Sequence, residues 1–347
     1  MPKGVEPPSD PRVAAWAFEP GQLARARELR ALTKTALAVR VGKTPAALSQ
    51  FESGAARPDP ETLARLALAL GVPVGFLARL PWTAPADVEA CHFRLLRSVS
   101  RAQRRQAVRV GEIIQELAAL LEPEGVEFPA ETLGPLKGPA ASDEAIEARA
   151  AEVRRAWGLG LGPIPDPIAL LEAQGVLVLP LAPACEAVDA FSHWHGGRPV
   201  AMLSMAKSPS RAHFDVAHEL GHLVLHEDAG AGDAGAEREA DAFASAFLLP
   251  RESFLRECPT RWSFERFRAL KPRWRVSIAA LVVRAYRLGR LTTASYRRAF
   301  AELNRRGLRV REPDEWTLSR PRVLRRALEL VEPDLPLDAL AARLALH

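Results

Sequence analysis

Three cysteines in 347 residues, Cys91, Cys185 and Cys258, are too few and too scattered for a disulfide framework. None forms a Cys-x-x-Cys pair, which argues equally against a thiolate zinc site. An odd number of cysteines suits a reducing compartment. Aromatic residues are also sparse, at 6%. No apolar run approaches the roughly 18 residues of a membrane-crossing helix. The opening MPKGVEPPSDP lacks the apolar centre of a signal peptide, so a cytoplasmic protein with no membrane association is expected. Internal repeats of about 20–50 residues are missing, which sets aside solenoids and propellers. Strand-like stretches are few, so the expected fold class is mainly α with a small β-sheet (α+β).

Leu, Ala and Arg are plentiful. The net charge is +5 and the isoelectric point about 9.4, which suits nucleic acid or an acidic partner. Between Arg251 and Arg326, 21 Lys/Arg stand against 7 Asp/Glu; solvated helix faces would account for this as well as a binding surface would. Residues 1–20 hold Pro2, Pro7, Pro8, Pro11 and Pro20 and read as a flexible arm. Residues 21–80 show short helical patterns separated by turns. Residues 81–140 carry a basic stretch with Arg94, Arg97, Arg101, Arg104, Arg105 and Arg109, and a helix from about Ala102 to Glu122. A linker with Pro123, Pro129, Pro135 and Pro139 follows. Residues 141–315 form a second domain that opens with a helix capped by Ser142. Its strands are VLVLPL, AFSHWH and RPVAMLSM, the last two flanking the hairpin signal Gly196-Gly197. Residues 316–347 read as a helical tail with no assignable role.

Within LRALTKTALAVRVGKTPAALSQFESGAARPDPETLARLALALGV, Thr33 and Thr44 can each cap a helix, and Pro45 suits the first position of the second. Gly42 supplies the turn between them, which makes a helix-turn-helix. The second helix presents Ala46, Ser49 and Gln50. Small residues allow close approach to a groove, and Gln50 can pair with adenine. Lys34, Lys43, Thr44 and Arg57 surround it where phosphates would lie. ALTKTALA, TPAALSQFESG and RPDPETLARLALALGV resemble the XRE family of helix-turn-helix regulators, with its Ser-x-x-Glu-x-Gly hallmark at Ser49, Glu52 and Gly54. The resemblance implies a five-helix domain, a double-stranded DNA operator and a homodimer. Lys34 departs from it, because the family most often has glutamine there.

The stretch HELGHLVLH places His218, His222 and His226 at intervals of four. Histidines at i and i+4 share a helix face and can ligate one zinc, with Glu219 reaching the metal's water. His226 stands about 12 Å along the axis from His218 and cannot join the same ion; it reads as a supporting, capping or substrate-facing residue. The third ligand is expected from EREADAFASAFLLP, where spacing leaves Glu237, Glu239 and Asp241 open. The strand PVAMLSM is a candidate open edge for an extended substrate, and His193, His195 or His226 candidates to steady an oxyanion.

RAHFDVAHELGHLVLH followed by EREADAFASAFLLP resembles the ImmA/IrrE family of zinc metallopeptidases over roughly residues 140–315. Residue by residue, the resemblance implies His218, His222 and Glu239 as ligands of one Zn2+, Glu219 as base and Asp241 as a supporting residue. It implies a zincin-like domain with a short sheet beside the HExxH helix, cleaving a partner repressor in a stress or mobile-element response. Ser204 departs from it, where asparagine is common. Two other readings stay open: a transcription factor whose peptidase fold only senses zinc or mediates contacts, and an antitoxin-like protein.

Overall fold

The computed structural model describes residues 7–81, 83, 92–95, 100–181, 188–226, 233–308 and 311–346. Cys91, Arg97 and Cys185, with the first six residues of the expected arm, lie outside the described residues.

The N-terminal unit holds α1 (Pro11–Trp16), α2 (Pro20–Leu29), α3 (Lys34–Val41), α4 (Pro45–Ser53) and α5 (Pro60–Leu70). All but α3 begin with proline, whose missing N–H costs nothing at a helix start. The side chains of Thr33, Thr44 and Asp59 accept from the amides of Ala36, Ala47 and Thr62, which places the starts of α3, α4 and α5. Gly42 ends α3 at φ 64°, a left-handed conformation that turns the chain directly into α4. Phe18, Leu23, Leu37, Leu48, Phe51, Leu63, Leu66 and Phe76 fill the space between the helices. The reading of residues 1–20 as an arm is corrected from Pro11 onward. Asp10 caps α1, and Ala14 and Phe18 are buried in the domain's core, so the prolines there start helices.

The following helix, α6 (Arg101–Leu121), joins the two halves of the molecule. Ser100 and Gln103 form a reciprocal capping box at its start. One face meets α2 and Arg79, beyond α5, through charge. Glu116 accepts from Arg25 at 2.6 Å and Arg79 at 2.7 Å, Glu112 pairs with Arg25 at 3.0 Å, and Glu28 with Arg109 at 2.8 Å. Burial draws the Arg79 guanidinium below its ordinary value, Glu116 opposes this, and Arg25 adds repulsion. The other face is apolar. Ala107, Val108 and Ala118 pack on Leu177, Leu179, Phe191, Val200 and Met202 of a sheet.

That sheet has four strands among the described residues, β1 (His92–Leu95), β2 (Leu177–Pro180), β3 (Val188–His195) and β4 (Arg198–Leu203), in the order β1-β3-β4-β2. β3 and β4 are the antiparallel hairpin around Gly196-Gly197, β2 is parallel to β4, and β1 is antiparallel to β3 with His92 opposite Ser192. Two expectations are corrected. β4 is flanked on both sides, so PVAMLSM is no open edge. β1 was hidden in what read as a basic stretch. Successive side chains face opposite ways: Leu177, Phe191 and Met202 meet α6, while Val178, Ala190, Ala201 and Leu203 meet the helical layer behind.

That layer comprises α7 (Asp143–Ala156), α8 (Pro167–Ala173), α9 (Pro209–Leu225), α10 (Ala234–Leu248), α11 (Arg251–Glu257), α12 (Phe264–Trp274), α13 (Ile278–Arg287) and α14 (Thr293–Arg305). The supposed linker near 123–140 is packed against it: Leu133 and Leu136 are buried in its core, and Gly138 N–H donates to the carbonyl of Val224. The C-terminal α15 (Val323–Val331) and α16 (Leu337–Arg343) cover the far end of α6, joining Ala327, Val331, Leu340 and Leu344 to Leu120, Leu121 and Val126.

Glu116 is fully buried and serves two arginines that are themselves buried. Glu116→Ala leaves these cations short of an anion and is expected to lower the stability read by urea unfolding by about 3 kcal/mol. An unchanged midpoint and slope would show that the clamp between α2 and α6 contributes nothing.

Candidate metal centre

Val216, Ala217, Leu220, Leu223 and Val224 make α9 apolar around most of its circumference, and all are buried. Polar side chains on such a helix have little water to turn to. His218, Glu219 and His222 nevertheless lie on it at 1%, 0% and 0% exposure. α10 packs along α9 at close range. A Cβ at Gly221 would stand 3.1 Å from Ala240 Cα and 3.2 Å from its carbonyl oxygen, so glycine sets the approach of the two helices.

This approach delivers acids to the histidines. His218 Nε2 and His222 Nε2 are 3.0 Å apart, and the two oxygens of Glu237 lie 3.4 Å from one ring nitrogen each. Burial opposes ionisation of Glu237, but hydrogen bonds and charge from His218 and His222 outweigh it and hold the carboxyl well below the usual carboxylate range. Behind the rings, His218 Nδ1 lies 2.9 Å from Asp241 Oδ1. His222 Nδ1 lies 3.1 Å from His226 Nδ1, whose Nε2 lies 2.9 Å from Glu239 Oε2.

The structure brings Glu237, rather than the expected Glu239, against the ring nitrogens of His218 and His222. Glu237 and Asp241 are one turn apart on α10 and share the face toward His218. Glu239 is rotated by about 200° from Glu237 and among the described residues meets His226, at the C-terminal end of α9. Residues 227–232, with Glu227 and Asp228, lie outside the described residues.

Glu219 turns toward the sheet, where Ser192 Oγ donates to its Oε2 at 2.7 Å. The strand AFSHWH held the signal for this contact, because its even-numbered residues face α9. Trp194 Nε1 likewise donates to the carbonyl of Leu223. His193 and His195 point to the other face. His193 Nε2 lies 3.0 Å from Gln115 Nε2 on α6. Burial is the main cause lowering the His195 pKa, with Arg25 lowering it further and Glu116 raising it, all on that side. The two histidines, expected as candidates to steady an oxyanion, thus lie on the α6 side of the sheet, opposite the face that meets α9. A cleft of about 490 Å³ opens beside Asp241, with Phe214, Ala280, Val283 and Phe300 among its walls.

At the other end of the molecule, Thr44, Ala46, Gln50 and Arg57 are exposed and Lys43 and Ser49 half-buried. Four candidates, Lys34, Thr44, Ser49 and Arg57, also make local bonds. Lys34 Nζ donates to Ser49 Oγ at 3.2 Å and lies 3.4 Å from Glu52, which also accepts two bonds from Arg27. Ser49 and Glu52 of the hallmark thus tie α4 to α3 and α2. Arg57 Nη1 donates to the carbonyl of Trp16.

Residues 23–77 match the family model described as helix-turn-helix, and residues 171–286 match that of the IrrE N-terminal-like domain, Peptidase M78. The chain joins an XRE-type helix-turn-helix domain to an M78 peptidase domain. No curated protein matches it significantly.

In the M78 domain, His218, His222 and Glu237 are the group of donors within 4.8 Å of one another among the described residues. Zinc bonded at about 2.0–2.1 Å in tetrahedral geometry sets its donors about 3.3 Å apart, close to the 3.0 and 3.4 Å found here. Two imidazoles and a carboxylate also make a typical three-residue set that leaves a position open. The residues therefore fit a zinc ion.

Metal content after dialysis checks the assignment. Glu237→Ala is expected to abolish stoichiometric zinc, while Glu239→Ala keeps one equivalent at saturating zinc. The reverse pattern would restore Glu239 as ligand.

Proposed function

We propose that this chain is a cytoplasmic DNA-binding regulator whose M78 domain is a zinc-dependent endopeptidase acting on a partner protein, a repressor. The observation that carries this reading is the convergence of His218, His222 and Glu237, with Glu219 fully buried next to His218 on the helix that holds the two imidazoles. A sensor fold with no chemistry to perform has no need to bury a fourth polar group beside three metal donors, since each buried polar group must be compensated.

Zinc held by these three residues would supply a Lewis acid that activates water and polarises the scissile carbonyl. Glu219 takes the proton of the attacking water and returns it to the leaving amine. Ser192 holds Glu219 by one oxygen, which leaves the carboxylate a defined orientation. The cleft beside Asp241 supplies room for a substrate side chain, with Phe214, Val283 and Phe300 alongside Lys207, Arg211 and Arg287 in its walls. At the N-terminal domain, the exposed start of α4 enters the major groove, with Gln50 reading a base and Lys43, Thr44 and Arg57 at the phosphates. XRE-type modules read paired half-sites, so the chain acts as a homodimer.

Co-expression with candidate repressors tests the peptidase reading. The wild-type chain is expected to cleave one of them, and Glu219→Gln to leave it intact while retaining zinc. If the wild-type chain is zinc-loaded and represses its promoter yet leaves all candidates whole, the domain is a zinc sensor.

The DNA reading has a separate measurement. Gln50→Ala is expected to lose about 1–3 kcal/mol of discrimination at one base pair with little change in salt dependence. Lys43→Ala should weaken binding to all sequences and reduce the salt slope by about one. Equal loss on specific and random DNA in Gln50→Ala would remove that residue from the readout.

A further inference from the structure

Three histidines and three acids meet between α9 and α10, and the metal accounts for only half of them. The remainder are Asp241, His226 and Glu239. Asp241 makes one contact to one ligand ring. His226 and Glu239 form a longer chain, which runs from His222 Nδ1 to His226 Nδ1 at 3.1 Å and from His226 Nε2 to Glu239 Oε2 at 2.9 Å. His226 is buried at 8% exposure, and His222 is fully buried.

Hydrogen-bond chemistry gives this chain a direction. An ionised carboxylate only accepts, so the contact to Glu239 requires a proton on His226 Nε2. In a neutral imidazole the other nitrogen, Nδ1, then carries a lone pair. That lone pair faces His222 Nδ1, so His222 must donate there, which empties His222 Nε2. His222 Nε2 is the nitrogen that faces His218 and Glu237. The opposite order would put a proton on His222 Nε2, pointing at the place where a cation belongs. Asp241 acts on His218 by the same logic in a single step.

We propose that Glu239 is a positioning residue that acts through His226 to fix the His222 ring with its Nε2 lone pair toward the metal. The structure thereby gives Glu239 a function at the centre without making it a ligand. Both ligand rings are oriented from α10, directly by Asp241 and through one intervening imidazole by Glu239. The device depends on the two helices keeping their spacing, which the Gly221–Ala240 contact provides. It rests on the metal-centre reading above but not on proteolysis, because its consequences are read in zinc affinity and in proton positions.

The test is a double-mutant cycle on zinc affinity, measured by competition with a chromophoric chelator. Glu239→Ala is expected to weaken zinc at least about tenfold, as loss of an orienting partner does. His226→Phe should weaken it by a similar factor, and the double variant no further, because either change breaks the same chain. Glu239→Gln, whose amide oxygen still accepts, should recover most of the affinity. Nitrogen-15 spectra of the zinc-loaded wild-type chain give a readout that no folding defect can imitate: the proton should sit on Nε2 of His226 and Nδ1 of His222.

The proposal is overturned if Glu239→Ala binds zinc within twofold of wild type, if the two losses multiply, or if His226 carries its proton on Nδ1. It is also overturned if Glu239→Ala takes up no zinc at any concentration, which would make Glu239 a ligand. A wild-type chain that binds no zinc removes the metal centre itself, a result distinct from a zinc-loaded chain with independent losses.

Discussion

Two imidazole nitrogens buried 3.0 Å apart cannot both direct lone pairs at each other; a proton or a cation must lie between them. Much of the second domain is arranged around that constraint. α9 is apolar nearly all round, so its histidines find their partners on α10. α10 comes close enough because residue 221 has no side chain. Glu237 completes the donor set from the turn of α10 that faces both rings, and Asp241, His226 and Glu239 orient them from behind. Each buried polar group here is compensated by another, which is the condition for keeping polar groups in such a layer.

The same layer is tied to the DNA-binding half through the sheet. Ser192 on β3 donates to Glu219, and its neighbour His193, pointing the other way, meets Gln115 on α6. On the same helix, Glu112 one turn before Gln115 and Glu116 directly after it pair with Arg25 and Arg79 of the helix-turn-helix half. The chain from candidate base to DNA-binding domain therefore runs through packed secondary structure. The C-terminal helices α15 and α16 close over the far end of α6, and Ala345 joins the N-terminal core. Buried ion pairs are a costly way to gain stability, but they specify one docking geometry, since a slipped arrangement would leave charges unpaired.

Some of the centre was legible before any coordinates because its information is local. His218 and His222 share a face by helical spacing alone, and Thr33, Thr44, Gly42 and Gly54 mark where short helices begin and end. Glu237, Glu239 and Asp241 were not separable in that way. Which carboxylate faces the ligands depends on how α10 is rotated against α9, and that rotation is set by Gly221 meeting Ala240. The side of the sheet that takes His195 was open for a related reason: alternation along β3 assigns it to a face, but not to a neighbour. The arm near Pro11 and the linker near Pro135 read as open chain because proline marks helix starts and packed turns as readily as extended segments.

The residues by themselves determined the two domain types, the helix carrying the histidines and the second helix of the helix-turn-helix, which carries Gln50, because each is written in spacing within a single element. Tertiary structure alone decided which acid faces the metal position, which strands lie inside the sheet, and that α6 clamps one domain to the other. Those are relations between elements distant in the chain. They are settled by how closely backbones approach and which buried charges find partners, and neither quantity has a period that a sequence can display.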